Sequence, residues 1–128
     1  MAHKQHSPGF LRIVDDAKTR IHEVSVQETL TDMAGVARLI DVREDHEWEA
    51  CHAKGAEHLS KGIIERDIES LVPDKDDYLI LYCGGGYRAA LAADSLQKMG
   101  YTNVHSMAGG WRAWLEAEAP IEEGTTTI

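Results

Sequence analysis

Cys83 stands where an apolar run ends and a glycine cluster begins: Tyr78-Leu79-Ile80-Leu81-Tyr82, then Cys83-Gly84-Gly85-Gly86-Tyr87-Arg88. A cysteine reacts as the thiolate, and thiolates are favoured beside positive charge and helix N-termini. The apolar run reads as a strand buried on both faces. Arg88 to Met99, rich in Ala and Leu, reads as a helix. The thiol is therefore placed at a strand end, in a tight loop that feeds a helix. Three successive glycines let that loop curl and turn several backbone N–H groups toward one point. The helix dipole adds partial positive charge there, and Arg88 adds a full one. Such a cradle would also hold an anionic atom or group carried on the sulfur. The expected site is Cys83 as nucleophile, with Gly84, Gly85, Gly86, Tyr87 and Arg88 around what it binds.

Other reactive side chains are weaker candidates. Asp41 and Arg43 end a neighbouring apolar segment, Val36 to Val42, and are expected to support the pocket, Arg43 mainly through an ion pair. Cys51 falls between a helix and a loop, with nothing to bring it near Cys83. His46, His52, His58 and His105 lack metal-ligand spacing, so no metal is expected. His52 and His58 are expected to hold a loop by hydrogen bonds. Trp48, Trp111 and Trp114 read as packing residues.

The elements that must position Cys83 can be read along the chain. Ser7-Pro8 is an N-cap followed by proline at the first helical position, and the helix runs to about Arg20 on the apolar face of Phe10, Leu11, Val14 and Ala17. Ile21 to Val24 is a short strand. Ser25 and Glu28 form a capping box for a helix that Gly35 stops. Val36 to Val42 is a strand and Glu44 to Cys51 a helix. Ala53 to Gly62 is mostly loop, extended near Glu57 to Leu59. Ile63 to Leu71 is a helix ending before Pro73. Asn103 to Ser106 is a strand, and Gly109-Gly110 turns the chain into a last helix from Trp111 to about Glu118. Pro120 closes the fold, leaving a polar tail. Strands alternate with helices and lie too far apart for hairpins. The fold class expected is α/β, a central mostly parallel sheet with helices on both faces. In such sheets ligands bind beyond the carboxyl ends of the strands, where Cys83 lies.

The 128 residues suffice for one domain, with 43% hydrophobic and 27% charged residues. A formal charge of −9 argues against nucleic acid and against an anionic membrane surface. No apolar run approaches the roughly 20 residues of a membrane span, and the N-terminus lacks the apolar core of a secretory signal. Two cysteines make no disulfide framework. An exposed reactive thiol suits a reducing compartment, so the cytoplasm is expected.

With these residues in hand, the chain resembles a single-domain rhodanese, a thiosulfate-type sulfurtransferase. Four pieces carry the resemblance: Leu39-Ile40-Asp41-Val42-Arg43 followed by Glu44 and Glu47-Trp48; His52-Ala53-Lys54-Gly55-Ala56-Glu57-His58-Leu59; Tyr82-Cys83-Gly84-Gly85-Gly86-Tyr87-Arg88-Ala89; and Gly109-Gly110-Trp111 with Trp114. Their order and spacing matter more than any one piece. The resemblance divides the chain into an N-terminal extension with a helix (1–23), a rhodanese-like domain (24–120) and a polar tail (121–128). Ala53 and Ser60 replace the family's usual Ile and Pro. Ala89 replaces the usual Ser or Thr, removing a hydroxyl from the end of the loop.

The resemblance implies covalent catalysis in two steps. The Cys83 thiolate takes the outer sulfur of a donor such as thiosulfate and becomes a persulfide, and a thiol or cyanide acceptor removes that sulfur. The N–H groups of Gly84 to Arg88 would hold the transferred sulfur, and Arg88 would anchor the loop. A protein persulfide donor is a further partner the family allows, with the domain then acting as a sulfur carrier or regulatory module. No cofactor is implied. Phosphatases of this fold and related arsenate reductases carry five residues between cysteine and arginine; here there are four, Gly84 to Tyr87, which fits a single extra sulfur better than a tetrahedral oxyanion.

Overall fold

The computed structural model describes residues 6–124. Its central strand is β5 (Leu79–Tyr82), every residue of which is buried. Side chains alternate along a strand, so Leu79 and Leu81 enter one hydrophobic cluster and Ile80 and Tyr82 another. These two clusters are the two faces of the sheet, which explains why the run shows no polar alternation. The sheet has five strands in the order β1 (His22–Val24), β6 (Val104–Met107), β5, β2 (Arg38–Asp41) and β4 (Glu57–His58). All four pairings are parallel, so every carboxyl end points the same way.

One face is covered by α1 (Pro8–Lys18), α4 (Ile64–Leu71) and α5 (Tyr87–Lys98), through Val14, Ile64, Ile68 and the alanines of α5. The other is covered by α2 (Val26–Met33) and α6 (Gly110–Glu116), through Val26 and Trp114. The caps read from sequence are formed. The Phe10 N–H donates to Ser7 Oγ at 3.4 Å. Ser25 and Glu28 exchange side-chain and backbone bonds of 3.0 and 2.8 Å. Among the described residues no helix is long and apolar enough to cross a membrane.

One feature differs from the sequence reading. The chain does not leave the fold at Pro120: β7 (Ile121–Glu122) pairs antiparallel with β3 (His52–Ala53), directly after α3 (Asp45–Ala50). Strands of two residues have no periodicity to detect, and this pair is made only by long-range contact. A ring stack reinforces it. Trp48 lies on His52 with centroids 3.4 Å apart and planes 5° from parallel, and His58 stacks at 5.0 Å. His52 Nδ1 donates to the Trp48 carbonyl at 2.9 Å and His58 Nε2 to the Arg43 carbonyl at 3.0 Å. The apolar face of α1 packs on α5 and carries Phe10 to the sheet's carboxyl edge.

Candidate active site

Cys83 follows β5 directly and is only 1% exposed, not the exposed thiol that the sequence suggested. The loop folds over the sulfur. Gly86 adopts φ +97°, and its N–H donates to Cys83 Sγ at 3.1 Å. The N–H of Ala89, in the first turn of α5, donates to the same sulfur at 3.3 Å. Both are orphan donors of a helix N-terminus, so the cradle seen here uses Gly86 and Ala89 within the span expected for Gly84 to Arg88 and one residue past it. Ala89 matters through its backbone, which accounts for the loop closing without a hydroxyl at that position.

A second helix fixes the loop from the other side. The Trp111 N–H donates to the Cys83 carbonyl at 2.7 Å and the Arg112 N–H to the Gly84 carbonyl at 3.1 Å. This approach needs Gly110. A Cβ there would lie 2.3 Å from the Cys83 carbonyl oxygen and 2.9 Å from the Gly84 carbonyl carbon, and its φ is +54°. Gly109-Gly110 therefore joins the α6 N-terminus to the cysteine loop, a role the sequence reading missed although it had marked the pair. The glycines were the signal; what they approach was not readable.

Arg88 reaches back over the loop, its Nη2 3.4 Å from where a Gly84 Cβ would stand, and pairs with Glu47 of α3 at 3.6 Å. It is one-third exposed, so the pair adds little to the stability of the fold. Tyr87 lies over Gly85, its ring 3.4 Å from a Cβ built there.

Asp41 and Arg43 form a buried pair, 0% and 4% exposed, with Arg43 Nη2 2.9 Å from Asp41 Oδ2. Hydrogen bonds tie the pair to Tyr82 and to the backbone around it. Tyr82 Oη donates to Asp41 at 2.6 Å, Arg43 Nη2 to the Cys51 carbonyl at 2.6 Å, and the Ala53 N–H to Tyr82 Oη at 3.0 Å. Burial opposes charge on the Arg43 guanidinium, but hydrogen bonding and attraction from Asp41 outweigh it and hold the group above its ordinary range. Burial, with Asp41 beside it, pushes the Tyr82 hydroxyl far up. The Arg43 guanidinium also lies 4.5 Å from the Trp111 ring centroid. Trp111 also lines the cleft into which Cys83 opens.

Cys83 forms the floor of an open cleft of about 1010 Å³. Its walls include Arg88, Trp111 and Leu115, together with His6 and Phe10, which sequence reasoning had not placed there. Cys51 does not line it. Among the described residues, no group of three or more histidine, cysteine or acidic side chains could hold a metal.

Residues 15–117 match the model of the rhodanese-like domain family. Over 100 residues the chain is 34% identical to the thiosulfate sulfurtransferase GlpE of Haemophilus influenzae, covering 78% of this chain and 93% of that one. Among solved structures it is similar to the polysulfide-sulfur transferase homodimer of Wolinella succinogenes (27% identity, TM-score 0.75, 91% of this chain and 89% of that one). It is also similar to RPA3614 of Rhodopseudomonas palustris, a protein of unknown function described as a possible tyrosine phosphatase (26% identity, TM-score 0.82, 95% and 100% covered). Fold, match and relatives agree: this chain belongs to the rhodanese-like domain family, alongside sulfurtransferases.

Proposed function

We propose that the protein moves a sulfane sulfur from a thiosulfate-type donor to a thiophilic acceptor through a persulfide on Cys83. The observation that carries this reading is the convergence of the Gly86 and Ala89 N–H groups on Cys83 Sγ, at the floor of the cleft. In the first step the thiolate attacks the outer sulfur of thiosulfate. The donor S–S bond breaks, sulfite leaves with its electron pair, and a Cys83 Sγ–S bond forms. In the second step the acceptor attacks the outer sulfur, and Cys83 is released as thiolate. The two N–H groups stabilise negative charge on the cysteine sulfur at both ends of this cycle. Gly84, Gly85 and Gly86 keep side chains out of the path of the incoming sulfur, and Tyr87 and Arg88 bound it. Asp41 and Arg43 are positioning residues that act through Trp111. A free thiolate of this kind works in a reducing compartment such as the cytoplasm.

The four-residue spacing between Cys83 and Arg88 supports sulfur over phosphate as the group carried. The names of the GlpE and Wolinella relatives point the same way. The test is intact-mass spectrometry after thiosulfate treatment, wild type beside Cys83→Ser. Wild type should gain about 32 Da, one sulfur, and lose it to cyanide. No adduct, or an equal adduct on Cys83→Ser, would remove Cys83 from the mechanism.

A further inference from the structure

The matched family span begins at residue 15, yet two side chains before it line the Cys83 cleft: His6 and Phe10. They are held there by Tyr87 of the cysteine loop. The His6 ring lies 4.5 Å from the Tyr87 ring, Phe10 lies 6.2 Å from Tyr87 and 5.1 Å from His6, and Lys18 Nζ sits 5.4 Å from the Tyr87 centroid. Behind Phe10, α1 is fastened to α5 by Val14 and Ala17 in the core and by Arg20, which reaches Asp94 at 2.8 Å. The extension therefore contributes a fixed aromatic wall to the cleft. Trp111, Ala113 and Leu115 of α6 also line it.

Thiosulfate has no atoms to place against such walls. A cleft of about 1010 Å³ matches the upper end of the roughly 300–1,000 Å³ typical of sites for organic ligands. Phe10, Tyr87, Trp111 and Leu115 give the cleft an apolar side, beside the charged Glu47, Arg88, Arg112 and Glu116, and that side is complementary to a donor with an apolar group on the sulfur that bears its sulfane sulfur. We propose that Phe10 is a specificity-determining residue and that it gives the cleft a preference for organic donors of the thiosulfonate class over inorganic thiosulfate. The inference rests on the sulfur-transfer reading for the identity of the reacting group. With such a donor the S–S bond breaks, the sulfinate leaves with its electron pair, and the Cys83 Sγ–S bond forms, as with thiosulfate.

The experiment separates binding from chemistry by using the Cys83→Ser background. Benzenethiosulfonate and thiosulfate are titrated against it by calorimetry, with Phe10→Ala or Phe10→Leu added. Benzenethiosulfonate should bind the parent more tightly than thiosulfate does. Phe10→Ala should weaken benzenethiosulfonate by about tenfold and thiosulfate by less than about twofold, with Phe10→Leu in between. Equal loss for both anions would reduce Phe10 to a structural role and overturn the proposal. So would unchanged affinity for benzenethiosulfonate, or a parent without preference for it. Neither result depends on whether wild-type Cys83 forms a persulfide, which the mass measurement reads separately.

Discussion

At the scale of single residues, two close approaches around Cys83 and β2 can be tested by substitution. The first is Gly110 against the Cys83 carbonyl. The obstructing atoms are backbone and the φ is +54°, so alanine there must push the loop and α6 apart. Gly110→Ala should cost about 1–3 kcal/mol in urea unfolding and slow persulfide formation as the cradle opens. Gly62→Ala, with nothing within 4 Å of the added Cβ, is the control and should do neither. The second is the Asp41–Arg43 pair. Arg43→Ala leaves Asp41 buried with its charge uncompensated, so it should destabilise by about 3–5 kcal/mol in the same assay. Tyr82 Oη alone cannot replace a guanidinium that contacts both carboxylate oxygens.

At the scale of elements, α1 is tied to the domain by Arg20, which bridges Asp16 at 2.9 Å and Asp94 at 2.8 Å. Its hydrogen bonds hold both carboxyls below the ordinary 3.8. A carboxyl with a lowered folded value stabilises the fold above its unfolded value, and that contribution is lost as the pH falls through the folded one. Thermal melts between about pH 7 and pH 3 should therefore show wild type losing stability below about 3.8, and Arg20→Ala losing less over that interval because it starts lower. The helix itself was legible from Ser7, Pro8 and its apolar spacing, but its place was not. Spacing shows that Phe10 faces something apolar; only the docking of α1 on α5 brings it beside Tyr87. The strand before Cys83, the glycine loop and the capping box were legible because each is encoded locally. The β3–β7 pair, the α6 contact with the Cys83 carbonyl and the Glu47–Arg88 tie were not, because each joins residues distant in sequence.

At the scale of the whole molecule, a second pH-sensitive group lies on the opposite side of the sheet order from β4, on β6. His105 on β6 is packed among His22, Tyr78 and Asn103, with Asp32 and Glu28 farther out, and its Nδ1 has no hydrogen-bond partner. Burial, then repulsion from His22, pulls it below its ordinary 6.5. The unfolded chain then binds the proton first, so stability falls as the pH drops below 6.5 and levels off once the folded form is also protonated. His105→Gln should flatten this part of a melting-temperature profile while leaving thiosulfate reactivity unchanged. The net charge of −9 makes the chain as a whole repel anions. Any positive pole for an anion must therefore be local, as the two N–H groups that converge on Cys83 Sγ are, and such a local feature was legible as a motif while the overall composition was not informative about it. The cysteine loop also bears on how the chain can diverge. The carbonyls of Cys83 and Gly84 are both engaged by α6, and Gly109-Gly110 fills the space behind them. A lineage that acquired a fifth residue before Arg88 could not accommodate it by reshaping the loop alone, since the start of α6 would have to shift with it. Loop length and the glycine pair would be inherited together, and a loop widened for a larger group than the proposed sulfur would take coordinated changes 26 positions apart, as Cys83 and Gly109 are.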